Sequence, residues 1–305
     1  FSVRLLTFIY QGQSRLGALV GDDTVLDVAA AQEAATRQPV ELDTLQEVIE
    51  AGPAAWDQLA ADIRVFDLKA DGVSPFLHPL ADLLLAPPIR PSKICAIGLN
   101  YLDHVLEGGR KPPSRPVLFA KYPTSVIGPD DAIRWDPALS DKIDYEAELA
   151  VVIGKPAYRV AAVDAMDYVF GYTCADDVTA RDIQQDDGQW VRGKSLDTFC
   201  PLGPWIVTAD EIADPHDLPI RCTVNGQTMQ LSNTDQLIFR IPELIEFLSH
   251  SFTLLPGDII LTGTPPGVGH YANPPHYLRD GDTVTIEIDG IGKLRNVCRV
   301  DKRVE

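Results

Sequence analysis

The stretch "IDYEAELAVVIG", residues 143–154, spaces Asp144, Glu146 and Glu148 two residues apart. On an extended strand alternate side chains share a face, so these acids would line one side and Tyr145, Ala147 and Leu149 the other. A half-exposed strand with its acids in water is one outcome of that pattern. A second acidic group opens another: in "FGYTCADDVTARD", residues 170–182, Asp176 and Asp177 follow an apolar run and precede the helix-like "TARDIQQ". One of the two suits a helix N-cap, which leaves the other unexplained. Two glutamates on one face plus an aspartate make an all-oxygen donor set, matched to Mg²⁺, Mn²⁺ or Ca²⁺ rather than to zinc. Such a cluster repels itself until a cation neutralises it.

Acid–base chemistry is offered by "IGLNYLDHVLEGG", where His104 and Glu107 stand one helical turn apart. A carboxylate that orients and charges an imidazole is the usual arrangement for a histidine general base, and an ordinary surface pair is the alternative. Gly108 and Gly109 follow, a joint that would let the segment close as a lid. In "LTGTPPGVGH", residues 261–270, Thr262 and Thr264 offer hydroxyls in a rigid turn, either to a substrate carboxylate or merely to a hairpin connection.

"GQWVRGKS", residues 188–195, satisfies the phosphate-loop pattern G-x-x-x-x-G-K-[ST]. Its flanks do not: polar "TARDIQQDD" stands where a buried strand is needed, and Pro201 and Pro204 oppose the helix that should follow. The pattern is therefore coincidental. Lys194 within it sits among turn formers, where lysines are usually solvated; beside a bound anion its ammonium would instead serve a developing oxyanion. There is no G-x-S-x-G, no H-E-x-x-H, no complete G-x-G-x-x-G after a strand, and His78, His216, His250, His270 and His276 lack metal-ligand spacing.

These groups need a scaffold, and the 305-residue chain, 45% hydrophobic, is long enough to build one. Alternation in residues 2–11 and 14–21 predicts two strands, and residues 29–38 and 44–63 have helical spacing. The proline-rich "APPIRPSK", residues 86–93, breaks both periods and marks the expected boundary between a small α+β unit, residues 1–86, and a larger domain, residues 87–305. Beyond it, short β-type segments alternate with Gly, Pro and Asp turns, with helices predicted around "NYLDHVLEGG" and "IPELIEFLSHSF". The expected class is mostly β with some α, a mixed sheet packed as a sandwich or roll. A net charge of -18 disfavours nucleic acid. No apolar run is long enough to span a membrane and no signal-peptide pattern precedes the first strand, although the start at Phe1 suggests missing upstream residues. Five cysteines, an odd number without a C-x-x-C pair, fit a reducing, cytoplasmic setting, with Cys174 expected in the core.

Taken in order, "GLNYLDHVLEGG", "PVLFAKYPTSVIG", "IDYEAELAVVIG", "GYTCADDVTARDIQ", "GKSLDTFCPLGPW" and "LLPGDIILTGTPPGVG" resemble the fumarylacetoacetate hydrolase family over residues 92–298. The resemblance implies a mixed β-sandwich roll, a homodimer, and Mg²⁺ or Mn²⁺ on Glu146, Glu148 and Asp177. It places His104 and Glu107 on a lid, Lys194 in the site, and Gln184 and Thr264 against substrate. Asp176 departs from the asparagine more frequent in that family and would set another charge beside the metal.

The activity expected first is metal-dependent carbon–carbon hydrolysis of an acylpyruvate or related β-diketo acid. The metal would stabilise the leaving pyruvate enolate, His104 would activate water, and Lys194 would stabilise the oxyanion. Oxaloacetate decarboxylation and isomerisation of an oxo-diene diacid use the same enolate, and a noncatalytic metal-stabilised binding module is the alternative of another class. Because the phosphate-loop string lacks its flanks, isothermal titration with ATP and GTP is expected to give no binding heat.

Overall fold

The segment "AELAVVI" is almost continuously apolar, the signature of a strand covered on both faces rather than on one. In the computed structural model, which describes residues 3–37, 42–67 and 75–301, the strand Ala147–Ile153 has all seven residues buried. It lies inside a large mixed sheet. The path runs from Leu77–Pro79 through Thr24–Asp27, Gln13–Val20, Arg4–Tyr10, Cys200–Thr208, Val169–Asp176, Ala147–Ile153, Ile259–Leu261 and Ile94–Gly98 to Val117–Lys121. Most neighbours are antiparallel, but Ile259–Leu261 and Ile94–Gly98 run parallel. A second sheet of five strands, Gln227–Asn233, Pro219–Val224, Thr283–Ile288, Gly292–Val300 and Ala132–Trp135, packs against the first. This is the mostly β, mixed-sheet sandwich that the short β-type segments predict.

Alternation then assigns two cores. Leu149, Val151 and Ile153 join Ile220, Cys222, Ile286 and the helix Ile241–Ser251 between the sheets. Ala150 and Val152 face the other way and pack with Leu45, Ile49 and Leu59 from the N-terminal helices. The strand therefore carries its acids on a backbone clamped from both sides, and the solvated-acid outcome is overturned. Asp144 is not on the same strand as Glu148: Ile143–Asp144 pairs with Thr179–Ala180 in a separate two-stranded ladder.

The N-terminal strands extend the large sheet, with Arg4 opposite Val207 and Leu5 opposite Ile206. The helical stretch over residues 44–63 is two helices, Leu45–Ala51 and Pro53–Asp67, divided at Gly52, whose φ of 84° continues no helix. Thr44 and Glu47 close the first with a reciprocal capping box. Ser2 and Gln38, at the ends of two expected elements, lie outside the described residues. No helix among the described residues is long and apolar enough to cross a membrane.

Cysteines 95, 174, 200, 222 and 298 are all buried and free, as the reading of Cys174 as core requires. Because Leu149 is fully buried at the centre of the sandwich, Leu149→Ala should cost about 2–5 kcal/mol, read as a lower urea midpoint with an unchanged slope.

Candidate metal centre and active site

The acids converge where two central strands end. Val169–Asp176 pairs antiparallel with Ala147–Ile153, with Asp176 opposite Ala147. Just past that pair the backbone crosses over: the Asp177 N–H donates to the Glu146 carbonyl at 2.9 Å, and the Glu146 N–H donates to Asp176 Oδ1 at 2.8 Å. The result brings Glu146, Glu148 and Asp177 together, with ligand oxygens all within 4.8 Å of one another and all three residues buried. Asp144 is directed elsewhere, onto Arg181 at 2.8 Å and onto the backbone N–H groups of Gly269 and His270.

Neither aspartate is the N-cap that the sequence allowed. The helix Arg181–Asp186 is preceded by Ala180, with no side-chain cap. Asp176 instead ends the strand ladder, and burial pushes its carboxyl up to about 8, against the Glu146 N–H bond and reinforced by Asp177. That shift favours the uncharged form over the extra charge expected there. A neutral carboxyl has much the shape and polarity of the asparagine amide it replaces.

Three cations answer the acids. Lys194 Nζ lies 2.7 Å from Glu146 Oε2 and 2.6 Å from Asp177 Oδ2; it is only 2% exposed, not the solvated loop lysine its neighbourhood suggested. Arg181 reaches Glu146 Oε1 at 2.7 Å. Lys121, 1% exposed, meets Asp177 Oδ1 at 2.7 Å and donates to the carbonyls of Val178 and Lys194. Burial alone would raise the Glu146 carboxyl, but Lys194 and Arg181 outweigh it and hold it near 2.

Glu148 is the exception. Its carboxylate accepts the Gly263 N–H at 2.7 Å and has no ion-pair partner among the described residues. Burial, then Asp177, then Glu146 push it well above the usual carboxylate range. A buried acid facing two others with no cation of its own is a fit for a divalent ion, and oxygen donors select a hard one.

The local sequence explains how Lys194 gets there. Residues Val191–Lys194 form one helical turn packed on Arg181–Asp186. A Cβ on Gly193 would come within 2.8 Å of the Gln184 nitrogen and 3.0 Å of the Ala180 carbonyl. The glycine of the false phosphate loop thus permits a close backbone approach that sends the next residue inward. Trp190 lies against Gly98 and edge-on to Phe119, with ring centroids 5.3 Å apart.

His104 lies in the wall of the same cavity, on the helix Leu102–Glu107, and Glu107, at the end of that helix, stands behind its ring. His104 Nδ1 is 3.2 Å from Glu107 Oε2, and Glu107 accepts the Gly267 N–H at 3.1 Å. Asp103 accepts from Ser232 Oγ at 2.5 Å. The helix is tied down at both ends. Gly108 and Gly109 form its cap: Gly109 N–H bonds the Leu106 carbonyl, Arg110 N–H bonds the Val105 carbonyl, and Gly109 has φ 64°, a Schellman ending.

Thr264 and Gln184 also face the cavity, whereas Thr262 donates to the Leu149 carbonyl and is structural. Gln230 bridges Thr264 Oγ1 and the Ala147 N–H. His270 lines the cavity too, its ring nitrogens facing Gln185 and the Tyr277 hydroxyl. Burial and the Arg181 charge hold its imidazole below the ordinary range, and Asp144 opposes them. Lys121, Arg181, Gln230 and His270 went unnoticed as site residues in the sequence, although Arg181 lies three residues before Gln184.

The family model for the fumarylacetoacetate (FAA) hydrolase C-terminal domain matches residues 93–299. The rat protein named oxaloacetate tautomerase Fahd2a, mitochondrial, is 51% identical over 213 residues, which cover 70% of this chain and 68% of that one. Among solved structures, a fumarylacetoacetate hydrolase from psychrophilic Exiguobacterium antarcticum is 36% identical with a TM-score of 0.82, covering 98% of this chain and all of that one. A 2-hydroxyhepta-2,4-diene-1,7-dioate isomerase from Mycobacterium marinum is 34% identical with a TM-score of 0.75, covering 99% of this chain and all of that one.

Glu148→Gln removes one of three like charges and one ligand. In EDTA the variant should melt above the wild type. Added Mn²⁺ at a hundred times the wild-type Kd should stabilise the wild type by about 2.7 kcal/mol and leave the variant's melting temperature in place.

Proposed function

We infer the reaction from one premise: this chain belongs to the fumarylacetoacetate hydrolase family, whose model covers most of it. The reading supported best is a metal-dependent keto–enol tautomerase of a small α-keto acid of the oxaloacetate type. The observation that carries it is a carboxylate triad and a histidine lining one cavity of about 210 Å³, with Glu107 behind the histidine ring at 3.2 Å. Drug-sized sites run to roughly 300–1,000 Å³, so this one suits a short acid.

Glu146, Glu148 and Asp177 would hold Mg²⁺ or Mn²⁺. With an ion bound, the site would gain a Lewis acid that makes the carbon beside the substrate's keto group easier to deprotonate. His104 takes the proton from that carbon. For this it needs a free Nε2, and Glu107 provides it by keeping the proton of the neutral ring on Nδ1 and then stabilising the imidazolium. Arg181 and Lys194 face the oxygen on which negative charge grows. Return of the proton from His104 to that oxygen gives the enol, and the reverse sequence gives the ketone. Gln184 and Thr264 are placed to orient the acid.

The names of the relatives favour proton transfer. The rat protein is named for oxaloacetate tautomerisation and the mycobacterial one for isomerisation of a diene diacid; both need protons moved and no attacking water. Hydrolysis of an acylpyruvate, expected first from the sequence, would use His104 on water instead, and decarboxylation of oxaloacetate would use the same electron sink without His104. A noncatalytic binding module would have no use for a tethered base in its ligand cavity.

In D₂O with Mg²⁺, deuterium should enter C3 of oxaloacetate faster than in buffer, and EDTA should abolish the excess. His104→Ala should slow it by about 10²–10⁴-fold. Pyruvate appearing as fast as exchange would move the protein to the decarboxylases; pyruvate from acetylpyruvate, with no exchange into oxaloacetate, would restore hydrolysis.

A further inference from the structure

Three cationic side chains line the cavity: Arg110, Arg181 and Lys194. Two are committed. Arg181 pairs with Asp144 and Glu146, and Lys194 with Glu146 and Asp177. Arg110 has no ion-pair partner among the described residues, in a chain with 44 acidic and only 26 basic side chains. It is exposed at the cavity mouth.

Its position is set by the backbone. The Schellman ending at Gly109 fixes the direction in which the chain leaves the His104 helix, and Arg110 is the first residue after it. On the adjoining wall Gly108 lies beside the Tyr271 ring, which packs against both His104 and His270, at centroid distances of 5.7 and 5.2 Å. Among the described residues that line the cavity, Arg110 is the one arginine or lysine without an ion-pair partner.

We propose that Arg110 is a specificity-determining residue that receives the distal carboxylate of an α-keto dicarboxylic acid whose other end is held at the carboxylate triad. The proposal rests on the metal-site reading of Glu146, Glu148 and Asp177. A guanidinium suits this task because its planar fork takes a carboxylate bidentately. Charge agrees. With a divalent ion bound and Asp144, Glu146, Glu148 and Asp177 all ionised, the ion together with Lys121, Arg181 and Lys194 would leave one positive charge, and Arg110 makes two. A dicarboxylate balances them, whereas a monoacid leaves Arg110 unmatched. The two relatives named for diacid substrates, oxaloacetate and a hepta-diene-dioate, accord with this.

The test uses two acids alike except at one end: oxaloacetate, and 2-oxobutyrate with a methyl where oxaloacetate has its distal carboxylate. Each is titrated into the full chain loaded with Mg²⁺, followed by tryptophan fluorescence, to which Trp190 in the cavity wall contributes. The wild type should prefer oxaloacetate by about tenfold or more, Arg110→Ala should bring the two affinities within about threefold, and Arg110→Lys should fall between. A wild type without preference, or an Arg110→Ala variant that keeps it, overturns the proposal. If the wild type shows the preference and Arg110→Ala loses it while neither acid is turned over, Arg110 stands and the tautomerase reading falls.

Discussion

Like charges that are buried together must be neutralised. Glu146, Glu148 and Asp177 sit within contact distance of one another in a space closed by protein on nearly every side, and each uncompensated charge there carries a large desolvation cost. Lys121, Arg181 and Lys194 neutralise Glu146 and Asp177 from the protein's own stock. Glu148 has only a backbone N–H. Glu148 is therefore the acid of the three that the protein's own cations leave unpaired among the described residues, and the rest of the domain holds the three together.

Rigidity is what the fold contributes. Repelling carboxylates drift apart unless their backbone cannot move, and Ala147–Ile153 is fixed by hydrogen-bonded strands on both edges and by a separate core on each face. Partners come from far along the chain. Lys121 comes from an edge strand, Lys194 from a single helical turn set by Gly193, and Arg181 from the first residue of a short helix. Gln230 ties the triad strand to the Thr264 turn through three hydrogen bonds. Each of these contacts is non-local, so each depends on the sandwich being assembled first.

That dependence explains what the sequence made legible. The alternate-residue spacing of Glu146 and Glu148 and the one-turn spacing of His104 and Glu107 are local regularities, visible without a fold. The mixed-sheet sandwich was also legible, because strand length and turn residues are local too. Lys121 was not: in "RPVLFAKYPTS" it reads as the ordinary end of a strand, and only the assembled large sheet buries it beside Asp177. Lys194 looked solvated because its turn-rich neighbours conceal a close helix packing. The spacing of Asp144 misled in the opposite sense, since a break after residue 144 hands it to Arg181 while the two glutamates continue to the site. Asp176 reads as an extra charge, but its burial, with one oxygen on the Glu146 N–H, favours the uncharged form.

The acid–base pair stands apart from this frame. His104 and Glu107 contribute no ligand to the triad; they ride on a six-residue helix whose attachments are Ser232 and the Gly267 N–H. The separation has a physical use. Lys121, Arg181 and Lys194 are each paired with the buried acids, and none of them pairs with the His104 ring. Placed on its own helix, His104 keeps one carboxylate behind the ring, with Nδ1 3.2 Å from Glu107 Oε2. In the proposed reaction the triad and its cations would stabilise the negative charge that the departing proton leaves, and the helix would supply the group that takes the proton. Proton transfer within one small cavity requires both, and it requires that neither weaken the other.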